Sequence, residues 1–220
     1  MLFDLFQLFF PKYCTHCQNT LLKEETIICN KCYQKLPFRF QSYHNELKEN
    51  LNCLFKVEKA YSLLYFKDQS ITSNLIYTLK YKKKPKIGYE LGILLGERIL
   101  DPIDMIIPIP LHPKKQKKRG YNQSEEIAKG IAKKRNISID LENLIRTKNN
   151  PSQAYLKNQT ERLQNTLNIF EVLNPKLFEN KHILLVDDII TTGSTVYNSA
   201  YPLLQIKNVR ISVACISFAG

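Results

Sequence analysis

HILLVDDIITTGST, residues 182–195, reads as a strand, an acidic pair, a loop of small hydroxyl residues and the start of a helix. Four consecutive apolar residues, Ile183, Leu184, Leu185 and Val186, predict a strand buried on both faces, as in a parallel sheet. Beyond the loop, Val196, Ala200, Leu203 and Leu204 recur at helical spacing. Pro202 falls late in that run, so the helix is expected to kink or end there. Ligands of open parallel sheets sit beyond the carboxyl ends of the strands. A loop running into a helix N-terminus aims unpaired N–H groups at an anion. Asp187 and Asp188 are thereby placed to accept hydrogen bonds from two sugar hydroxyls, while Thr191, Thr192, Gly193, Ser194 and Thr195 hold a phosphate. The expected ligand is a phosphorylated sugar.

The rest of the 220 residues alternates strand and helix patterns. Strands are expected over 58–66, 105–107, 144–146, 169–173 and 209–216, and helices over 71–81 and 87–100. A further helix is opened by Asn122 with Glu125 three residues on, a capping-box spacing, and its inner face carries Ile127, Ala128 and Ile131. Residues 148–160 read as a polar loop. The fold class is α/β with a mostly parallel sheet. Three regions are expected: a cysteine module over 1–36, a polar linker over 37–57 and the α/β domain over 58–220.

The cysteines stand apart from this pattern. Cys14-x-x-Cys17 and Cys29-x-x-Cys32 are separated by eleven residues. Each turn directs two thiolates at one point, and two such turns complete a tetrahedral four-sulfur set suited to zinc. Few apolar residues lie between the pairs, so metal binding is expected to supply the folding free energy there. Disulfides fit badly with a chain that shows no export signal, and the cytoplasm is the expected compartment. His16 lies inside the first pair, but four cysteines already suffice. Cys215 falls in a core strand and reads as an inert hydrophobe. Residues 1–10, MLFDLFQLFF, are too short to span a bilayer. Phe3, Phe6 and Phe10 share a helical face there that suits docking onto protein.

Thirty-two basic against twenty acidic residues leave a net charge of +12, which favours anionic partners. Two clusters carry much of it. KYKKKPK over 80–86 holds five lysines, which read equally well as a solvated loop. The second, Lys114, Lys115, Lys117, Lys118 and Arg119, is expected to be a basic loop that contacts either pyrophosphate or a nucleic-acid backbone.

The DDxxTTGxT run closely resembles the phosphoribosyl diphosphate (PRPP) signature of type I phosphoribosyltransferases. In chain order the sequence shows CxxC…CxxC, then IPIPLHPKKQKKRGYNQSEEIAKGIA, then Gln153-Ala154-x-Leu156 with Glu161-Arg162-x-x-Asn165, then VDDIITTGST. In that order it resembles the ComF family (ComFC/GntX-like), and the likeness covers essentially the full length. The resemblance implies a type I phosphoribosyltransferase-like domain behind a four-cysteine zinc module, and an association with uptake of transforming DNA. By position, Asp187 and Asp188 match the ribose-binding pair, and Thr191 to Thr195 match the 5′-phosphate loop. The Pro110-Leu111-His112 turn corresponds to the pyrophosphate region, which brings in His112 as a PRPP contact. Arg119, Gly120, Tyr121, Asn122 and Gln123 match the family's own motif, with Arg119 counted among the PRPP contacts.

Two functions fit this set of motifs. In one, an acceptor displaces pyrophosphate from PRPP. Asp187 and Asp188 would then position the ribose while Mg²⁺ and the cations of 114–119 stabilise the leaving group. In the other, the chain handles single-stranded DNA, alone or with other competence proteins, and uses PRPP as a signal or merely retains the pocket. The lysine clusters and cysteine module suit phosphate-backbone contact.

Overall fold

The computed structural model describes residues 11–39, 44–147 and 169–219. The apolar face expected in 1–10, the polar loop and the motif residues Gln153 to Asn165 lie outside the described residues. Four strands form one all-parallel sheet: β1 (Ala60–Tyr65), β2 (Met105–Pro108), β5 (His182–Ile190) and β6 (Arg210–Phe218), in spatial order β1-β6-β5-β2. Two short strands, β3 (Leu144–Arg146) and β4 (Phe170–Val172), pair antiparallel beside it. The helices are α1 (Asn30–Tyr33), α2 (His44–Asn52), α3 (Ile71–Tyr81), α4 (Pro85–Gly96), α5 (Pro113–Arg119), α6 (Gln123–Arg135) and α7 (Ser194–Leu204). The α/β class and mostly parallel sheet expected from the sequence are what the chain forms. Among the described residues, no helix is long and apolar enough to cross a membrane.

Strand alternation divides the interior into two cores. On β5, Leu184 and Val186 face a core shared with α3, α4 and α6, while Ile183 and Leu185 face one shared with α2 and α7. Continuous apolar runs on β5 and β6 follow from this double covering. The cysteine module belongs to the first core. Leu21, Ile27, Ile28 and Leu36 pack into the same cluster as Leu91 and Leu184, so the module shares its apolar core with the domain.

Four expectations are corrected. The strand predicted over 183–186 runs on to Ile190, because Ile189 and Ile190 continue the ladder with Ser217 and Phe218 of β6. The polar linker over 37–57 contains α2, which buries Leu47 and Leu51; with Phe55 these form a sparse i, i+4, i+8 stripe among polar residues. The basic loop is helix α5, started by Pro113 and closed by Gly120 in the left-handed region at φ 87°. At α6, Asn122 accepts from the Ser124 N–H at 3.2 Å as expected of a cap, but Glu125 pairs with Lys129 at 2.7 Å instead of completing the box. α7 passes through Pro202 and ends at Leu204.

α4 and α6 touch backbone to backbone. A Cβ on Gly92 would stand 2.2 Å from the Ile127 carbonyl oxygen, and one on Gly130 would stand 2.1 Å from that of Tyr89. Only glycine fits at either position. In an open helix Gly92→Ala would stabilise by about 1 kcal/mol. Here the sign reverses: we expect a loss of about 2 kcal/mol or more, the scale of core overpacking, read as a lower denaturant midpoint. A neutral or stabilised variant would refute the contact.

Candidate functional site

β5 carries Asp187 and Asp188 to the carboxyl end of the sheet, where three other elements meet them. Ser124, in the first turn of α6, donates its hydroxyl to Asp187 Oδ1 at 3.0 Å, and the Asp188 backbone N–H donates to the same oxygen at 2.8 Å. Lys80, near the end of α3, places Nζ 3.1 Å from Asp188 Oδ1, with both side chains largely buried. Burial, with the neighbouring charge of Asp188, pushes the Asp187 carboxyl up to about 7, although the Asp188 N–H, Ser124 and Lys80 pull it down. One carboxyl of the pair thus titrates near neutrality, a property shared by many ligand-binding and catalytic sites.

The loop after β5 is short. Thr191, Thr192 and Gly193 lead directly into α7, and Ser194 and Thr195 already belong to its first turn. Thr191, Thr192, Ser194 and Thr195 are all exposed, and the Thr192 and Ser194 hydroxyls lie 2.9 Å apart. Gly193 holds φ 75° at the N-cap and sits against Leu51 and Leu54 of the α2 segment, where a Cβ would come within 2.9 Å. Gly193 offers no side chain to cap α7, and the Thr192 hydroxyl accepts from the Ser194 N–H at 3.5 Å.

The RGYNQ residues are tie points. Arg119 donates to Gln123 at 2.6 Å, the Tyr121 hydroxyl donates to the Leu79 carbonyl, and Asn122 donates to the Ile109 carbonyl at 3.0 Å. They lock α6 to α3 and to the end of β2, and so fix Ser124 and Lys80 relative to the carboxylates. His112 caps α5, its Nδ1 accepting from the Lys114 N–H at 3.1 Å. Partial burial, then Arg146 and the Lys114 and Lys115 charges, lower its imidazole below the ordinary value.

The two lysine clusters converge. Lys115, Lys118 and Arg119 from α5 and Lys80 and Lys83 from the α3 end line, with Tyr81, a cavity of about 300 Å³. Lys114 and Lys117 are exposed on α5 and are not among its lining residues. Lys80 therefore belongs both to this cavity and to the carboxylate pair.

Three residues of the site were not legible in the sequence. Lys80 is hidden in a run of like charges, and Ser124 lies just past a motif. Arg146 sits in a three-residue strand, where its guanidinium lies over Phe170 at 5.3 Å and its buried Nε has no hydrogen-bond partner among the described residues. Burial lowers Arg146 from its ordinary value, and Asp187 opposes that shift. A lone arginine in a short strand beside an acidic site is the signal that was available.

The four cysteines form a separate centre. Their sulfurs all lie within 4.8 Å of one another, and Cys17 and Cys29 are 3.6 Å apart. A tetrahedral ion with bonds of about 2.3 Å requires sulfurs about 3.8 Å apart, so Cys14, Cys17, Cys29 and Cys32 could hold a metal ion. None of the four is joined in a disulfide. Burial pushes the Cys14 thiol up, but backbone N–H groups of Cys17, Cys29 and His16 outweigh it and bring it down to about 6, whereas Cys17 and Cys32 are pushed up, Cys32 chiefly by burial. His16 is not in the cluster. Cys215 is buried in β6, where desolvation pushes its thiol up to about 12.

Comparison with known proteins places the chain. Competence protein F of Haemophilus influenzae is 29% identical over 206 residues, 86% of this chain and 89% of that protein. DNA utilization protein YhgH of Escherichia coli K12 is 30% identical over 152 residues, 66% of each chain. Competence protein ComFC of Bacillus subtilis is 35% identical over 101 residues, 46% of this chain and 38% of that one. The chain belongs to the ComF family. The match to YhgH spans just under two thirds of that relative's length. No protein-family model matches. Among solved structures similar to this ComF-family chain are the glutamine PRPP amidotransferase of B. subtilis, with a TM-score of 0.44 and 18% identity, covering 63% of this chain and 30% of that one. Adenine phosphoribosyltransferase of Leishmania tarentolae gives a TM-score of 0.39 and 12% identity over 70% of this chain and 90% of that one.

Asp187 sets a pH dependence of stability. Its folded value, about 7, lies above the ordinary 3.8, so its contribution is complete below pH 3.8 and is lost as pH rises through 7. Asp187→Asn removes that loss. The variant should melt higher than the parent at pH 8, and the gain should vanish at pH 4. A gain independent of pH would show that another group carries the raised value.

Proposed function

We propose that this chain binds PRPP at the Asp187–Asp188 end of β5 and serves the uptake of transforming DNA. The observation that carries the reading is the acidic pair, Asp188 buried and Asp187 partly so, set directly before a hydroxyl loop and the N-terminus of α7. Asp187 and Asp188 accept from the ribose hydroxyls. Thr191, Thr192, Gly193, Ser194 and Thr195 hold the 5′-phosphate with α7's first N–H groups. His112, Arg119 and Arg146 face the pyrophosphate, and Mg²⁺ bound with PRPP supplies further neutralising charge there. Relatives named competence protein and DNA utilization protein support the role in DNA uptake. The cysteine cluster is read as a structural zinc site, and a reduced four-thiolate centre fits a cytoplasmic protein. Protein purified without chelator should carry one zinc per chain by elemental analysis, and Cys29→Ser should lose it.

Calorimetry tests the ligand. Hydrogen bonds to charged groups contribute about 1.5–3 kcal/mol each, so Asp187→Asn with Asp188→Asn should weaken PRPP binding at least about tenfold. Unaltered affinity in a folded double variant rejects the site.

The cation-lined cavity favours a second reading for the same molecule, contact with a nucleic-acid backbone through Lys114, Lys115, Lys117, Lys118 and Arg119. Neutralising all five should flatten the slope of log affinity for single strands against log salt by about two to three units, at roughly 0.7 per contact. Loss of DNA binding with PRPP affinity intact assigns these residues to nucleic acid, and the reverse assigns them to pyrophosphate.

A further inference from the structure

The outer face of α3 is aromatic. Leu75, Ile76 and Leu79 take its inner face into the core, while Tyr77 and Tyr81, one turn apart, are 54% and 56% exposed. Their ring centroids lie 5.0 Å apart at an interplanar angle of 46°. A cation attends each ring: Lys82 Nζ is 6.0 Å from the Tyr77 centroid and Arg119 Cζ is 5.5 Å from that of Tyr81. Tyr81 is also a wall of the cavity lined by Lys80, Lys83, Lys115, Lys118 and Arg119. Five cations line that space, with no carboxylate among the described lining residues, although Lys80 is also paired with Asp188.

We propose that Tyr77 and Tyr81 form a base-stacking platform for single-stranded nucleic acid, whose backbone phosphates lie in the adjoining cation-lined cavity. The proposal rests on the reading that this basic surface takes phosphates, and adds to it a means of holding bases. Stacking on tyrosine accepts any base, because every base presents a π-face. The flanking cations keep phosphates close to the rings, and Arg119 adds a cation–π contact with Tyr81. A duplex hides its base faces except at its ends, so the platform selects unpaired strands. Because Lys80 reaches from the cavity to Asp188, the bound strand lies at the mouth of the carboxylate site.

The test uses the full chain and three labelled strands of equal length: thymidine DNA, the same backbone with abasic positions, and uridine RNA, titrated by anisotropy at low salt. The parent protein should bind thymidine DNA at least about fivefold tighter than the abasic strand, the low end for stacking of a single base. Tyr77→Ala with Tyr81→Ala should lose that margin, and Tyr77→Phe with Tyr81→Phe should keep it. The chain holds 12 tyrosines and no tryptophan, so quenching of tyrosine emission, smaller in the phenylalanine variant, reports the stacking directly. The RNA strand distinguishes which nucleic acid supplies the bases, and a parallel loss in the alanine variant supports the platform equally. Equal affinity of the parent for thymidine and abasic strands, or undiminished binding by an alanine variant with unchanged melting temperature, overturns the platform and leaves the phosphate reading standing. A parent protein that binds none of the strands overturns both.

Discussion

Two glycines let α4 and α6 meet with no side chain between them, and the carboxylate site is built on that contact. Gly92 and Gly130 each face a carbonyl oxygen of the other helix at a distance no Cβ tolerates. This closeness sets how α6 lies against the sheet. From that position its first turn delivers Asn122 to the end of β2 and Ser124 to Asp187. A helix pushed outward by even a methyl group would withdraw the Ser124 hydroxyl from a hydrogen bond of 3.0 Å. The polar geometry at the top of the sheet is therefore inherited from packing on its face.

The cysteine centre is tied to the same framework. Its apolar residues join the core cluster of the α4 layer, which includes Leu91. The cysteine centre and the sheet thus share one apolar cluster. The segment between them reinforces this: Arg39 donates to the Phe218 carbonyl at 3.3 Å and pairs with Glu46, bridging the end of β6 to α2.

Elements whose physics is local were legible in the sequence. Helix α3 matches its expected bounds, and strand β3 does as well, because apolar spacing and flanking polar residues decide both. The cysteine spacing pointed to a cluster that the fold closes. Features that depend on distant partners were not legible. Helix α2 has only a sparse apolar stripe, which becomes meaningful once α7 and the Gly193 turn are there to cover it. The 114–119 segment is helical despite like charges at i, i+3 and i+4, since Pro113 and Gly120 bound it and solvent screens it. Within the site, Asp187, Asp188 and the loop were evident from one contiguous run. Lys80, Ser124 and Arg146 come from three separate elements, and only the crossing of those elements joins them.

One feature of that crossing links two places that a ligand could occupy. Lys80 is a single ammonium shared between Asp188 and the cation-lined cavity. An anion settling in the cavity competes with Asp188 for it, and whatever takes the Asp188 carboxylate releases it toward the cavity. Were both places filled, occupancy of one would change the affinity of the other, and thermodynamic linkage would make the two effects equal in size. The protein carries its own counter-ion at the boundary of the two places, and a ligand in either would meet the same ammonium.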